Sequence, residues 1–101
     1  MTIRSEKLGQ DSMVIYISGR LDTAVSPTFE LKVNELVDGT IDVVFDLKEL
    51  DYISSSGLHV LLVAQKKMIA NNRKLVIRSA GKLVKDVFQI TGFCKIVTME
   101  D

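Results

Sequence analysis

The sequence predicts an α/β fold: a single domain with a mixed, mostly parallel β-sheet, an N-terminal antiparallel hairpin, and helices packed on the sheet. Short apolar runs rich in β-branched residues alternate with longer segments in which apolar residues recur every three or four positions. The resulting element order is β-β-α-β-α-β-α-β, and helical crossovers join parallel strands. A chain of 101 residues can bury roughly two-thirds of its unfolded surface in one core. We therefore assign residues 1–101 to one domain.

The first third of the chain predicts the hairpin and one helix. Residues 2–8 and 13–18 form the two hairpin strands, on either side of a segment of turn residues. Ser26 and Pro27 open the helix, because a capping hydroxyl is followed by the residue best tolerated at the first helical position. The helix is expected to end near residues 38–39. Its predicted buried face comprises Phe29, Val33, Leu36 and Val37.

The remaining elements alternate between strand and helix. They are strand 42–47, a central helix ending near residues 71–72, strand 75–77, helix 83–91 and a short strand at 96–97. Gly92 is placed to end the last helix in a left-handed conformation. The central helix carries a wide apolar stripe, so we expect it to be largely buried. The stripe comprises Leu58, Leu61, Leu62, Met68 and Ile69, widened by Val60, Val63 and Ala64.

Charge and composition argue against partners with a high density of negative charge. Thirteen Lys and Arg residues balance thirteen Asp and Glu residues, and no basic block appears. We therefore expect no nucleic-acid partner and no direct membrane contact. No apolar run approaches the length of a membrane span, and the N-terminal residues lack the apolar core of a signal peptide. The lone Cys94 fits a reducing compartment, so a soluble cytoplasmic protein is the expectation.

The sequence offers no set of residues suited to catalysis or metal binding. A serine hydrolase needs a base that reaches its nucleophile, and the only histidine, His59, follows Ser55 on the same predicted helix. One histidine and one cysteine cannot supply a structural zinc site, and the acids lack the spacing of a calcium loop. The two glycine-rich nucleotide motifs are also missing. We therefore expect a binding module that is not an enzyme and uses no cofactor or metal, with His59 at the surface of its helix.

Three serines and a glycine, Ser54 to Gly57, occupy a strand-to-helix junction. The first N–H groups of a helix have no partner within it, so Ser54 or Ser55 is a natural N-cap. In one interpretation the serines only cap the helix and turn the chain. In another, an exposed hydroxyl at a helix N-terminus is a place where an added phosphate meets unpaired N–H donors. Gly57, which lacks a Cβ, would then let another protein or a nucleotide come close.

Polar residues follow two of the predicted strands. Asp22 comes just after the second strand, and residues 54–57 come just after the third. Ligands and interaction surfaces of such folds tend to lie at the carboxyl ends of the strands. We therefore expect Asp22 and the serine segment at the same edge of the sheet.

Three segments together carry a family resemblance. Residues 17–22 are Ile-Ser-Gly-Arg-Leu-Asp, residues 45–53 are Phe-Asp-Leu-Lys-Glu-Leu-Asp-Tyr-Ile, and residues 54–58 are Ser-Ser-Ser-Gly-Leu. In this order they resemble the STAS domain family, in particular the bacterial anti-sigma factor antagonists. The last segment is similar to that family's phosphorylation motif, Asp-Ser-Ser/Thr/Ala-Gly-Leu. Ser54 stands where the motif has aspartate.

The resemblance implies a phosphorylation site and a docking surface. Aligned with the family motif, Ser55 is the phosphoacceptor, and Asp22 matches an acidic residue that lies near it in the family. Asp22 would either orient the hydroxyl or act as a turn or capping acid. The partner-binding residues implied by the resemblance are Asp22, Ser54, Ser55, Ser56, Gly57 and Leu58.

The resemblance also implies a partner-switching role in transcription regulation. The unphosphorylated protein would bind an anti-sigma factor that has serine kinase activity, and so free a sigma factor. Phosphorylation of Ser55 by that partner would weaken the complex, and a serine phosphatase would reset it. Two alternatives stay open. One is a non-phosphorylated STAS scaffold or lipid-trafficking ABC transporter subunit, and the other is a nucleotide-binding regulatory domain that uses residues 54–57 as an anion cradle.

Overall fold

The computed structural model describes residues 1–101. Six strands and three helices follow one another along the chain, with a 3₁₀ turn, Phe93–Lys95, between the last helix and the last strand. The strands are β1 (Thr2–Lys7), β2 (Ser12–Leu21), β3 (Asp42–Asp46), β4 (Leu50–Ile53), β5 (Leu75–Arg78) and β6 (Thr98–Glu100). The helices are α1 (Ser26–Leu36), α2 (Ser55–Ala70) and α3 (Lys82–Thr91).

The sheet is mixed and mostly parallel, which confirms the predicted fold class. Its main strand order is β1-β2-β3-β5-β6. β1 and β2 form the antiparallel hairpin, and the β2–β3, β3–β5 and β5–β6 pairs are parallel. Helices α1, α2 and α3 supply connections long enough to return the chain to the amino end of the sheet, as parallel pairing requires.

The strand β4 was not predicted from the sequence. It pairs in parallel with the last residues of β2, beyond the stretch where β2 pairs with β3. The pairing register shifts between Gly19 and Arg20, and Gly19 has a φ of +88°, a left-handed conformation that favours glycine. β2 therefore continues past the predicted end at Ser18 and reaches Leu21. Four residues are too few for a period-2 pattern to separate a strand from a loop.

The core lies between one face of the sheet and the inner sides of the helices. In-register pairing places Ile15, Phe45 and Ile77 side by side on this face, and all three are fully buried. The helices add Phe29, Val33, Leu61, Met68, Val84 and Phe88 to the core. Val63 and Ile69 were predicted in the buried stripe of α2, but they are exposed. No helix combines the length and the apolar character that crossing a bilayer would take.

The start of α1 and the start of the last strand also differ from the predictions. Ser26 is the first residue of α1 rather than its cap, because the N-cap position belongs to Val25, which makes no side-chain capping bond. The last strand begins at Thr98 instead of residues 96–97, because the 3₁₀ turn occupies the segment before it. Gly92 ends α3 with a φ of +80°, which confirms its predicted role.

Candidate functional site at the start of α2

The candidate site lies where β2 and β4 end side by side and α2 begins. Leu21 of β2 pairs with Ile53 of β4, and the N–H of Ser54 donates to the Leu21 carbonyl at 2.8 Å. The loop that begins at Asp22 and the start of α2 are thus held at the same carboxyl edge of the sheet, as predicted. The site comprises Asp22, Ser26, Ser54, Ser55, Ser56 and Gly57.

Ser54 is the N-cap of α2. Its backbone is extended, and its Oγ accepts a hydrogen bond from the Gly57 N–H at 3.1 Å. This bond satisfies one of the N–H groups that a helix leaves unpaired at its start. Ser54 is only 6% exposed, so its hydroxyl belongs to the interior. Serine and aspartate are about equally good N-caps, so Ser54 starts the helix as well as an aspartate would, without the charge.

A chain of hydroxyl groups joins α2 to α1. The Oγ of Ser56 lies 3.1 Å from the Oγ of Ser54 and 2.8 Å from the Oγ of Ser26. The Ser26 hydroxyl donates to the Asp22 carbonyl at 2.8 Å. Each hydroxyl has one proton to donate, so the arrangement that serves these three contacts has Ser54 donate to Ser56, and Ser56 donate to Ser26. The longer contact between the hydroxyls of Ser26 and Ser54, at 3.4 Å, then has no proton of its own. The hydroxyls of Ser54 and Ser56 are therefore both engaged within the fold.

Ser55 is the one serine of the three whose hydroxyl lies outside this network. It is the first residue of α2, it is exposed, and its side chain makes no hydrogen bond within the protein. A group added to its Oγ would displace no contact of the fold. Such a group would also lie beside the first turn of α2, where the unpaired N–H groups carry partial positive charge.

Asp22 organises the loop that leads into α1. Its Oδ1 accepts a hydrogen bond from the Val25 N–H at 3.1 Å, and its carbonyl accepts both the N–H and the hydroxyl of Ser26. This is the bonding of a turn and capping acid, one of the two roles that the sequence left open. The other role, orienting the Ser55 hydroxyl, has no hydrogen bond to support it.

Gly57 and Leu58 are buried in the free protein, and their predicted contact with a partner stays a prediction. A Cβ added to Gly57 would lie 2.7 Å from Cγ of Leu21 and 3.3 Å from Cγ1 of Ile53. Glycine is needed here because α2 approaches β2 and β4 closely. Leu58 is 8% exposed and packs in the core. His59 is exposed, as expected.

A cleft of about 430 Å³ opens beside Ser56, between α1 and α2. Its lining residues are Thr23, Ser26, Pro27, Glu30, Ser56, His59 and Val60. The lining contains an acid, Glu30, but neither lysine nor arginine, the side chains that complete most phosphate sites. This composition weakens the nucleotide-cradle alternative. No group of three or more His, Cys, Asp or Glu side chains is placed to hold a metal ion.

The perturbed ionisable groups lie away from the serines. Hydrogen bonds from the hydroxyl and N–H of Thr40 lower the pKa of Asp38. Asp38 lies just before β3, at the amino end of this strand, whereas the serines lie at the carboxyl ends of β2 and β4. A hydrogen bond to the Asp46 carboxylate raises the pKa of Arg78, whose Nη2 lies 2.8 Å from Asp46 Oδ2. Both shifts reinforce charged forms that are already dominant at neutral pH, so neither makes a proton switch at the site.

Ser26 is the site residue that sequence reasoning assigned to a different role. It was predicted as a helix cap, and its contact with α2 was missed. Its position just after β2, at the same sheet edge as residues 54–57, is the signal that could have suggested this contact. The hydroxyl geometry itself was not predictable, because it depends on how α1 and α2 pack.

Known proteins resemble the chain both in sequence and in fold. The family model of the STAS domain matches residues 3–101. The putative anti-sigma factor antagonist BtrV of Bordetella bronchiseptica is 38% identical over 88 residues, which cover 85% of this chain and 76% of that protein. The structure of the anti-sigma factor antagonist SpoIIAA in its unphosphorylated form superposes with a TM-score of 0.82 at 18% identity, covering 97% of this chain and 87% of that chain. The phosphorylated form of the Bacillus cell fate determinant SpoIIAA gives a TM-score of 0.75 at 18% identity, covering 97% and 90%.

Proposed function

Because the chain belongs to the STAS domain family, we propose that it is an anti-sigma factor antagonist, which binds an anti-sigma factor and so frees a sigma factor for transcription. Its relatives' names support this role, since the Bordetella protein is a putative anti-sigma factor antagonist and the Listeria monocytogenes relative is an anti-sigma-B factor antagonist. In this proposal the protein acts in the cytoplasm, where sigma factors act, as a binding and switching protein rather than an enzyme.

We further propose that phosphorylation of Ser55 by a serine kinase, the anti-sigma factor itself, switches the protein off. The observation that supports this step is the difference among the three serine hydroxyls. Those of Ser54 and Ser56 take part in the hydroxyl network, whereas that of Ser55 is exposed and makes no hydrogen bond within the protein. SpoIIAA, a protein of the same fold, has been solved in a phosphorylated form. A serine phosphatase would restore the active form.

The physical basis of the switch is charge at a docking surface. A phosphoserine carries about −1.5 to −2 charges at pH 7. At the first residue of α2 that charge is compatible with the fold, because the helix N-terminus favours anions. In a complex it would have to be desolvated or paired with a cation of the partner. Phosphorylation therefore weakens docking without unfolding the antagonist.

The proposal is tested by phosphorylation with purified components. The wild-type chain and the Ser54→Ala, Ser55→Ala and Ser56→Ala variants are incubated with ATP and with each anti-sigma factor kinase encoded in the same genome, and phosphate is mapped by fragment mass spectrometry. We expect a single phosphate on Ser55 in the wild type and none in Ser55→Ala. Ser56→Ala is the matched control, because it removes the neighbouring hydroxyl and leaves the acceptor in place.

Other outcomes would redirect the assignment. Undiminished phosphorylation of Ser55→Ala would show that another residue is the acceptor. If no kinase modified the wild type, the scaffold or transporter-subunit alternative would be favoured. Micromolar affinity of the isolated chain for ATP or GTP, measured by calorimetry, would favour the nucleotide-binding alternative.

A further inference from the structure

Exposed apolar side chains are concentrated on two helices of the molecule. Seven large hydrophobic residues are exposed, and only Leu8 and Leu31 lie outside α2, α3 and the segment after α3. The other five are Val63, Ile69, Leu83, Ile90 and Ile96, and Ile90 is 85% exposed. Ile96 is the one of these five that lines a pocket, and apolar surface left open in a pocket is a candidate interaction site.

An apolar groove of about 230 Å³ lies between α2 and the turn that follows α3. We call it the α2–α3 groove, and its lining residues are Leu58, Leu62, Thr91, Gly92, Phe93 and Ile96. Leu58 and Phe93 are buried, whereas Leu62 is half-buried and Ile96 is 44% exposed. The amide of Gln65 donates to the Ile96 carbonyl, which ties the segment after α3 to α2. The groove is therefore preformed, and no charged residue lines it.

The α2–α3 groove lies on the same face of α2 as the proposed phosphorylation site. Ser55, Leu58 and Leu62 are separated by three and four residues, the spacing that places side chains on one face of a helix. Leu62 is about 10 Å along the helix axis from Ser55, at 1.5 Å per residue. A protein that covers Ser55 closely enough to phosphorylate it would therefore extend readily over the groove.

We propose that the α2–α3 groove receives an apolar side chain of the anti-sigma factor that docks on Ser55, an inference that rests on the function proposed above. The centres of protein interfaces are enriched in aromatic residues and depleted of charge, and buried anchors in pockets supply most of their binding energy. The uncharged, preformed groove suits an aliphatic or aromatic anchor. A phosphate on Ser55, two turns away, would oppose the loss of water that this contact requires.

Ile96→Lys tests the groove with little effect on the fold. The side chain of Ile96 is partly exposed, and the hydrogen bonds of this residue use its backbone atoms, which the substitution keeps. Leu8→Lys is the matched control, because Leu8 is 52% exposed in the turn between β1 and β2. β1 is the outer strand on the other side of the sheet from β6, which follows Ile96. Binding to a purified anti-sigma factor from the same genome is measured by calorimetry, alongside thermal unfolding. We expect Ile96→Lys to weaken binding by about tenfold or more and Leu8→Lys to bind like the wild type.

Three other outcomes would contradict the inference, and each would have a different meaning. If Ile96→Lys bound like the wild type while Ser55→Asp bound weakly, the groove would not be part of the interface and the proposed function would stand. If no anti-sigma factor bound the wild type, both proposals would fall together. If sedimentation showed a wild-type dimer that Ile96→Lys dissociates, with partner binding unchanged, the groove would belong to a second copy of the chain. Should Ile96→Lys lower the melting temperature, Ile96→Ala provides the same comparison without an added charge.

Discussion

At the scale of single residues, three consecutive serines occupy three different environments. Ser54 is buried and caps α2, Ser56 bonds to Ser26 of α1, and Ser55 is exposed. Ser54 precedes the helix with an extended backbone, and Ser55 and Ser56, the first two residues of α2, point about 100° apart. The chemical availability of each hydroxyl is therefore set by its direction, and not by the Ser-Ser-Ser composition of the segment.

Gly57→Ala is expected to destabilise the protein by about 1 to 3 kcal/mol, the range for overpacking a core. Alanine would favour the helix by about 1 kcal/mol. However, its Cβ would lie 2.7 Å from Cγ of Leu21, so this fully buried side chain would have to shift. The free energy of unfolding from urea titration measures the change, and the substitution Gly57→Val should be worse.

Gly81→Ala is the control for that experiment, because an added Cβ at Gly81 meets nothing within 4 Å. Its loss of stability should be smaller than that of Gly57→Ala. If Gly57→Ala instead unfolded like the wild type but no longer bound an anti-sigma factor, Gly57 would face the partner after all.

At the scale of elements, α1 and α2 are joined near both of their ends. The Ser26–Ser56 hydrogen bond connects their first turns, and Nζ of Lys67 in α2 donates to the Val37 carbonyl at the end of α1, at 3.0 Å. That carbonyl lies among those that a helix leaves unpaired at its C-terminus, so the lysine satisfies an acceptor and complements the helix dipole. These two contacts keep the start of α2, and Ser55 with it, in a constant position on the sheet.

Ser54→Ala is expected to cost about 1 kcal/mol of stability, because it removes the hydroxyl that accepts the Gly57 N–H. Ser54→Asp keeps an acceptor at the same place and should be closer to the wild type than Ser54→Ala. Chemical denaturation of both variants measures the difference, with Ser5→Ala on the exposed edge strand β1 as the control. Equal stability of Ser54→Ala and the wild type would mean that the cap bond does not stabilise α2.

At the scale of the whole molecule, the candidate site lies at the carboxyl ends of the strands, and the hydrophobic core lies away from it. β2, β3 and β5 bury one face in a continuous core, while the loop after β2 and the first turn of α2 meet at their carboxyl ends. This separation lets the proposed docking surface change its charge without loss of core contacts.

Ser55→Asp is expected to weaken binding to the anti-sigma factor while leaving the melting temperature nearly unchanged. An acid at an exposed helix N-terminus is neutral to mildly stabilising, by up to about 1 kcal/mol. Aspartate has less charge than phosphoserine and a different shape, so the loss of affinity should be partial. Calorimetric titration together with thermal unfolding separates the two effects, and Ser55→Ala controls for the loss of the hydroxyl. Wild-type affinity in Ser55→Asp would argue that this edge is not the interface.

Amide hydrogen exchange should be slowest in β2, β3 and β5, which are paired on both sides, and above all in β2, which contributes the most buried strand residues. It should be faster in β1 and β6, the two outer strands, whose residues are largely exposed. Exchange followed by mass spectrometry of peptides resolves these strands. Protection of β6 equal to that of β3 would contradict its place at an open edge of the sheet.

The sequence by itself determined the alternation of strands and helices, the mixed sheet and the serine junction at the start of α2. These features are encoded locally: the period of apolar residues distinguishes helix from strand, and Ser54 caps a helix through residues only three positions away. The position of Gly92 at the end of α3 was predictable for the same reason, since a left-handed residue after a helix favours glycine.

Only the tertiary structure decided which serine is free, what Gly57 does and where apolar surface remains exposed. Ser26 lies 30 residues from Ser56 along the chain. Position 57 requires a residue without a Cβ because Leu21 of β2 packs against it. The strand β4 likewise depends on β2 extending beyond β3 to pair with it. Such contacts join segments that are distant along the chain. The residues that flank each segment in sequence therefore do not indicate its partner, which is determined by how the elements pack in three dimensions.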